Sequence, residues 1–458
     1  MRALRWAIPI ALAVAGPMVM LYPIWANPVS AGEDDVVYYW PLRVMVGRAL
    51  RQGRLPLNNP AEGTGSALMA DPQSAVMYPP TWLFATIDEK LAYSLSIFLA
   101  FSLAGGGAYL YLRRIALCRP AAAFGMTAFM FCGFMVGHRV HLAMIHTACY
   151  LPWGLWCIEG LSAAQRSAKR AVGLKTIASM TPVVFLAIAA GHWPTLIHMA
   201  VIWTAYLLLR SRPLFGSLVV VASAVVLAGL LAWPQIVLTA NLLSQATRAR
   251  IGYATAGENS FFPLAGILAI FPMIMGSRSP NFYPQKWWGP WHLTEMLGYI
   301  GLVTLVLAGA GAWKLYRPKL SEGPSLEYSG QDALGELVRK WCWIAAGAGL
   351  WMLGYYLPTY RLVHMLGVLG VVRCPARMVL AVDMALAVLA AVSIHVVTSK
   401  LPWARTRQGL VKAIRRSATV YLPVLMLVVL GLLAIAGRAL SFFRFNRLAC
   451  FSGGTRDM

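Results

Sequence analysis

The feature that most constrains this chain is a recurrent pattern of long apolar runs separated by short clusters of lysine and arginine. Ile8 to Trp25, Leu91 to Leu112, Ala121 to Val136, Leu214 to Trp233 and Met378 to Val397 are examples. Such runs approach the roughly 20 apolar residues that a helix needs to cross a bilayer. Basic clusters close alternate gaps: Arg113-Arg114 with Arg119, Arg166 to Lys175, and Lys400 to Arg416. That is the spacing expected when cytoplasmic loops collect positive charge. Composition agrees, because only 12% of the residues are charged where a soluble chain carries roughly a quarter. A membrane β-barrel would show short alternating segments instead. The expected fold is therefore an all-α polytopic membrane protein.

The net charge of +23 does not indicate a nucleic-acid partner. The basic residues lie between apolar runs, and no separate basic domain is present for DNA or RNA to meet. Seven cysteines are scattered without a CxxC pair, which gives neither a disulfide framework nor a zinc spacing.

Arg2 and Arg5 put the N-terminus in the cytoplasm, and Ile8 to Trp25 reads as an uncleaved first helix rather than a signal peptide. Following the charge pattern gives about 11 transmembrane helices in one membrane domain, 1–437, with a short tail, 438–458. The outer loops fall at about 27–90, 234–292 and 358–377. In the first, Leu42 to Gln52 is predicted to form an interfacial helix with Arg43, Arg48 and Arg51 on its wet side. Phe262 to Met275 is apolar but short, and counting it as a span would invert every later loop. It is read as re-entrant or interfacial. No internal repeat is evident, which weighs against an inverted-repeat transporter.

The ionisable residues that are not cytoplasmic concentrate in these outer segments. Glu33, Asp34 and Asp35 follow the first span, in a chain with only 16 acidic residues. An ionised carboxylate there either solvates the loop, accepts a proton from a hydroxyl, or holds a divalent cation. Asp71 and Gln73 flank Pro72 in a turn-forming stretch. His138, His141 and His146 are spaced along one region, and His192 lies at a hairpin tip. Without HExxH they read as interfacial hydrogen-bonding histidines rather than metal ligands. Arg248, Arg250, Arg361, Arg373 and Arg377 run against the inside bias. They serve either phosphate binding or headgroup snorkelling. Lys286, Trp287, Trp288, Trp291 and His292 form an aromatic-basic patch of a kind that belongs to an interfacial belt or stacks on a sugar.

Several of these segments resemble, in order, the YfhO-like bacterial membrane proteins of the glycosyltransferase C superfamily. Leu50-Arg51-Gln52-Gly53-Arg54-Leu55-Pro56-Leu57-Asn58-Asn59-Pro60 resembles the family's "lr-G-lP-WNP" run, with Asn58 in place of the usual Trp. Asp71-Pro72-Gln73 with Tyr78-Pro79-Pro80 resembles "D-Q-yPp". Gly191-His192-Trp193 is similar to "GHPQ", with Trp193 replacing the Pro. Gln235, with Ser244, Gln245 and Arg248, is similar to "Q-P…S-R", and Arg373-Cys374-Pro375-Ala376-Arg377 to "fR-P-aR". Many such proteins continue well beyond the last span found here.

The resemblance implies an inverting glycosyltransferase at the outer face of the bacterial inner membrane. It implies a polyprenyl-phosphate-linked sugar as donor and a glycan or lipid as acceptor. Asp34 or Asp35 would be the base, Arg248, Arg373 and Arg377 would meet the phosphate, His138, His192 and the Trp287 region would line the sugar pocket, and Asp71, Gln73 and Trp288 are further substrate-binding candidates. No cofactor beyond a divalent cation is suggested. A cavity opening to the outer leaflet, walled by the aspartates, Arg373 and Arg377, would favour this function, and aspartates facing open solvent would sink it. The competing readings are a lipid or polysaccharide transporter, which needs polar groups within the spans, and a non-catalytic envelope-assembly protein. Glu159 and Asp383 are the main acids within apolar runs.

Overall fold

The computed structural model describes residues 4–22, 24, 34–63, 65–165, 172–211, 213–245, 252–277, 285–316, 328–365 and 373–400. The chain divides into two compact units, Met1–His395 and Val396–Met458. Of the second, only 396–400 is described. Residues 401–458 therefore lie outside the description, including the expected span Thr419 to Gly437 and the tail 438–458.

The described chain is helical, and no strand forms among the described residues beyond two isolated bridges. Helix α1 is Leu4–Met20, followed by α2 (Trp40–Arg51), the single turn α3 (Leu83–Thr86) and the long α4 (Glu89–Arg114). Next come α5 (Arg119–Met130), the short α6 (Gly133–Gly137) and α7 (Leu142–Ala148), then α8 (Leu151–Gln165), α9 (Val172–Ala189) and α10 (Trp193–Arg210). Then follow α11 (Leu214–Leu231), α12 (Trp233–Gln245), α13 (Tyr253–Ala256), α14 (Leu293–Met296), α15 (Leu302–Tyr316), α16 (Tyr328–Leu353), α17 (Pro358–Met365) and α18 (Val379–Lys400).

Among the described residues four segments are long and apolar enough to cross a membrane: Glu89–Arg114, Arg119–Gly137, Leu214–Leu231 and Pro375–Ser399. Three shorter apolar helices accompany them, Pro9–Met20, Gly173–Ala189 and Leu302–Tyr316. Helix α4 shows why such a segment holds. Asp88 caps it by accepting the amides of Lys90 and Leu91, Glu89 sits in its first turn, and Arg113 and Arg114 close its last. Each charge thus complements the helix dipole. Buried Ala100, Ala104, Gly105 and Ala108 let α5 and α8 pack closely on it. Helix α11 differs, with Phe215, Val219, Val226 and Leu230 all exposed. An apolar helix with an apolar outer surface is suited to lipid.

One expectation changes here, and two apolar runs fold less regularly than their hydropathy suggests. Arg43 is not on a wet face: it is 1% exposed and donates to the Ser74 carbonyl at 3.0 Å and to Thr81 Oγ1. Residues 68–81 fold over α2, with Leu68 and Val76 packing on Leu42 and Val46, so the helix is covered. Only Arg48, paired with Glu89, and Arg51, on the carbonyls of Phe84, Ala85 and Ile87, stay at the edge. The run Leu293 to Trp313 is two helices, because the backbone leaves the helix at 297–301 and turns at Gly301, φ 91°. Phe262 to Met275, read as re-entrant or interfacial, forms a 3-10 helix, Pro263–Ala269, followed by turns.

Candidate functional site

The chain enters the site at Asp34 and winds through a π-helical stretch, Asp35–Tyr39, directly into α2. π-Turns widen a helix and recur at functional sites. The stretch presents two consecutive tyrosines to the same loop. Tyr38 donates its hydroxyl to Asp71 Oδ2 at 2.6 Å, and Tyr39 donates to Gln73 Oε1 at 2.9 Å. Gln73 Nε2 donates back to the Tyr38 oxygen at 3.2 Å. Asp71 Oδ1 accepts the Gln73 amide at 2.9 Å and so caps the 3-10 turn Pro72–Ser74. Burial, then the Asp71 carboxylate, push the Tyr38 hydroxyl far above its ordinary range. Tyr38 therefore remains a donor.

Two remote segments close on this loop. Gln235 Nε2 and Thr239 Oγ1, from α12, donate to the carbonyls of Met69 at 2.9 Å and Ala70 at 2.8 Å. Gly191 turns with φ 95°, so close that an added Cβ would stand 1.9 Å from the Pro72 carbonyl oxygen. Only glycine fits there. His192 follows: its amide donates to Thr147 Oγ1 at 3.2 Å, and its Nδ1 accepts the Thr195 amide and caps α10. His192 thus acts as a cap rather than as an open sugar contact.

The second half of the site is a chain of charged and titratable groups. His141 Nε2 lies 3.0 Å from Asp34 Oδ2, and His141 Nδ1 lies 3.2 Å from His138 Nδ1. His138 Nε2 is 3.6 Å from Glu295 Oε2. Arg377 grips Glu295 with two nitrogens, Nε lying 3.0 Å from both carboxylate oxygens. The two histidines meet because His138 ends α6 and His141 starts α7, joined by a tight turn in which the His141 amide donates to the His138 carbonyl at 2.8 Å. Tyr39 packs edge-on to His141 and so joins the two halves.

Burial pushes His138 down to about 3 and lowers His141 and His192, against the pull of Glu295. Burial alone would raise Glu295, but Arg377 and the adjoining histidines outweigh it and hold the carboxyl at about 2. Glu295 is in α14, ahead of the apolar α15.

The remaining candidates are dispersed. Asp34 is joined to the protein through His141, and with 64% of its side chain exposed it is not walled into the cavity that the transferase reading called for, which counts against that reading. Asp35 is described in backbone only, and Arg248 and Arg250 lie outside the described residues. Arg373 is partly exposed, 3.8 Å from Glu258. Arg377 is bound to Glu295 rather than open to an anion. Trp288 points outward, while Trp287 and Trp291 pack on Leu268, Met275 and Met296. His146 is buried between Tyr78 and Ser96 and belongs to the core. Among the described residues no three His, Cys, Asp or Glu side chains are arranged to hold a metal.

Glu295 was hidden from sequence reasoning inside an apolar run. A single acid at the start of such a run is the signal that would have found it, since intramembrane acids are costly and commonly functional. None of the family models, curated proteins or solved structures compared with this chain matches it.

Proposed function

We propose that the chain is a polytopic glycosyltransferase of the glycosyltransferase C type, similar to the YfhO-like proteins, with about eleven spans. In this reading it moves a sugar from a polyprenyl-phosphate donor to an envelope acceptor at the outer face of the inner membrane, with the N-terminus inside. One observation carries the reading. Asp34, His138, His141, Glu295 and Arg377 converge in space, although they come from separate segments. The alternation of basic loops assigns every one of those segments to the same side. Asp71, Gln73 and the Gly191 turn adjoin them through Tyr38 and Tyr39.

In the reaction, Asp34 accepts the proton of the acceptor hydroxyl as its oxygen attacks the anomeric carbon. The bond from that carbon to the phosphate oxygen breaks, and the phosphate leaves with the electron pair. Arg373, four residues before Arg377 and partly exposed beside Glu258, is the cation this reading assigns to the leaving phosphate. Arg377 contributes its field while staying on Glu295. The test is transfer of radiolabelled sugar from a polyprenyl-phosphate donor by purified protein in nanodiscs. Transfer by the wild type and its loss in Asp34→Asn support the reading, and full transfer by Asp34→Asn removes Asp34 as the base.

A further inference from the structure

One polar atom in the cluster has no partner. His138 Nε2 is fully buried and makes no hydrogen bond, although Glu295 is only 3.6 Å away. An orphaned buried ring nitrogen asks for an explanation, and counting protons supplies it. Two neutral imidazoles share two protons among four ring nitrogens. One proton lies in the Nδ1–Nδ1 contact, because two bare lone pairs would repel at 3.2 Å. The other belongs to one of the two Nε2 atoms. His141 Nε2 has Asp34 Oδ2 at 3.0 Å, within hydrogen-bond reach. His138 Nε2 faces a more distant carboxylate that already receives Arg377. The second proton therefore sits on His141 Nε2. His141 Nδ1 must then be the acceptor, His138 must donate from Nδ1, and His138 Nε2 is left bare.

We propose that His138 is a positioning residue for Asp34, acting through His141. By donating its Nδ1–H, His138 fixes the His141 tautomer whose Nε2–H holds Asp34 Oδ2, and Asp34 Oδ1 is left to take the acceptor proton. Only that last clause rests on the transferase reading. The opposite tautomer would turn a lone pair toward the Asp34 carboxylate and release the contact that ties it to α7. The groups facing the two rings are Asp34, Tyr39, Phe134, His192, Glu295 and Arg377. None of them places a hydrogen-bond donor on His138 Nε2.

The test is ¹⁵N NMR of the full-length protein with labelled histidine in nanodiscs near neutral pH, which reads each ring's tautomer from its nitrogen shifts. The wild type needs no substitution and should show Nδ1–H on His138 and Nε2–H on His141. An Nε2–H on His138 overturns the proposal. Asparagine places its amide donor near the Nδ1 position and glutamine near Nε2. His138→Asn should therefore keep the His141 tautomer, and His138→Gln should lose it. An unchanged His141 tautomer in both variants also overturns the proposal, because His138 would then only fill space. In the transfer assay, His138→Gln should lower kcat roughly tenfold or more with KM unchanged, a part of the 10²–10⁴ that a positioned base supplies, and His138→Asn should restore most of it. The expected tautomers in a protein without transfer activity would support the positioning of Asp34 and refute the transferase reading separately.

Discussion

Replacing Glu295 by glutamine tests the cluster most directly. Glu295 and Arg377 expose 7% and 11% of their side chains, and the guanidinium is held by two nitrogens on one carboxylate. Glutamine keeps the shape and one acceptor oxygen but removes the charge. Arg377 cannot lose its proton, so a buried cation is left uncompensated. Breaking a buried pair in this way costs about 3–5 kcal/mol, against a total of roughly 5–15 kcal/mol for a folded domain. Changing both residues to apolar ones of similar volume removes the stranded charge along with the pair, so Glu295→Met with Arg377→Met should lose less than Glu295→Gln alone.

The pH dependence follows from the same pair. The carboxyl titrates at about 2 when folded, against 4.5 ordinarily. Between those values the unfolded chain binds more protons, so stability falls as pH falls. The contribution is complete above pH 4.5, is lost as pH drops toward 2, and is absent in Glu295→Gln. Equilibrium denaturation in detergent, followed by tryptophan fluorescence across that range, measures both effects. A loss below about 1 kcal/mol for Glu295→Gln, which is what exposed pairs give, would refute the account. A double variant less stable than either single one would refute it too.

Other changes have separate expected outcomes. Asp34→Asn should lower kcat about 10²–10⁴-fold and leave the unfolding midpoint within about 0.5 kcal/mol of wild type, because the side chain is mostly exposed. Tyr38→Phe removes one hydrogen bond to a carboxylate and should cost about 1.5–3 kcal/mol in the same denaturation assay. Asp71→Ala removes that bond and the Gln73 cap together, whereas Tyr38→Phe also removes the Gln73 side-chain bond to the tyrosine oxygen; each should therefore destabilise, and an unchanged stability for Asp71→Ala would refute the capping role. Gly191→Ala combines a strained φ with overlap on the Pro72 carbonyl. It should lower the unfolding free energy by at least about 1–3 kcal/mol, and an unchanged stability would refute the close packing of that turn.

The chain's helical character was legible because apolar runs, caps and closing arginines agree with one another, as in α4. The short turn motifs at Asp71 and Gly191 were legible as motifs, and the structure adds that they touch. Arg43 was misread for a physical reason. An amphipathic helix looks the same whether its polar side meets water or a polar loop folded over it, and the decisive contacts with Ser74 and Thr81 are more than thirty residues away. The break at 297–301 was masked because hydropathy averages over the turn at Gly301. The pairing of Asp34 with His141 spans 107 residues, and helix periodicity carries no information across such a distance.

The segments that carry His138 and Glu295 pack directly, with Gly133 against the backbone of Leu297 and Tyr299, and α18 touches both. Cys374, in the left-handed region at φ 62°, turns the chain into the 3-10 helix Pro375–Met378 that leads into α18. This places Arg377 at the start of α18, where it fixes Glu295. Further along, buried Asp383 accepts the Phe134 amide at 3.2 Å. That contact holds the first turn of α6, the helix that His138 ends. Gly125 and Gly311 let α5 and α15 approach the same helix, against Ala387 and Ser393. Both ends of the cluster thus contact α18 or the turn that leads into it. An acid within an apolar run reads from sequence as a transport group. Here one of its oxygens is committed to the start of α6, the helix that His138 ends, so that oxygen is structural.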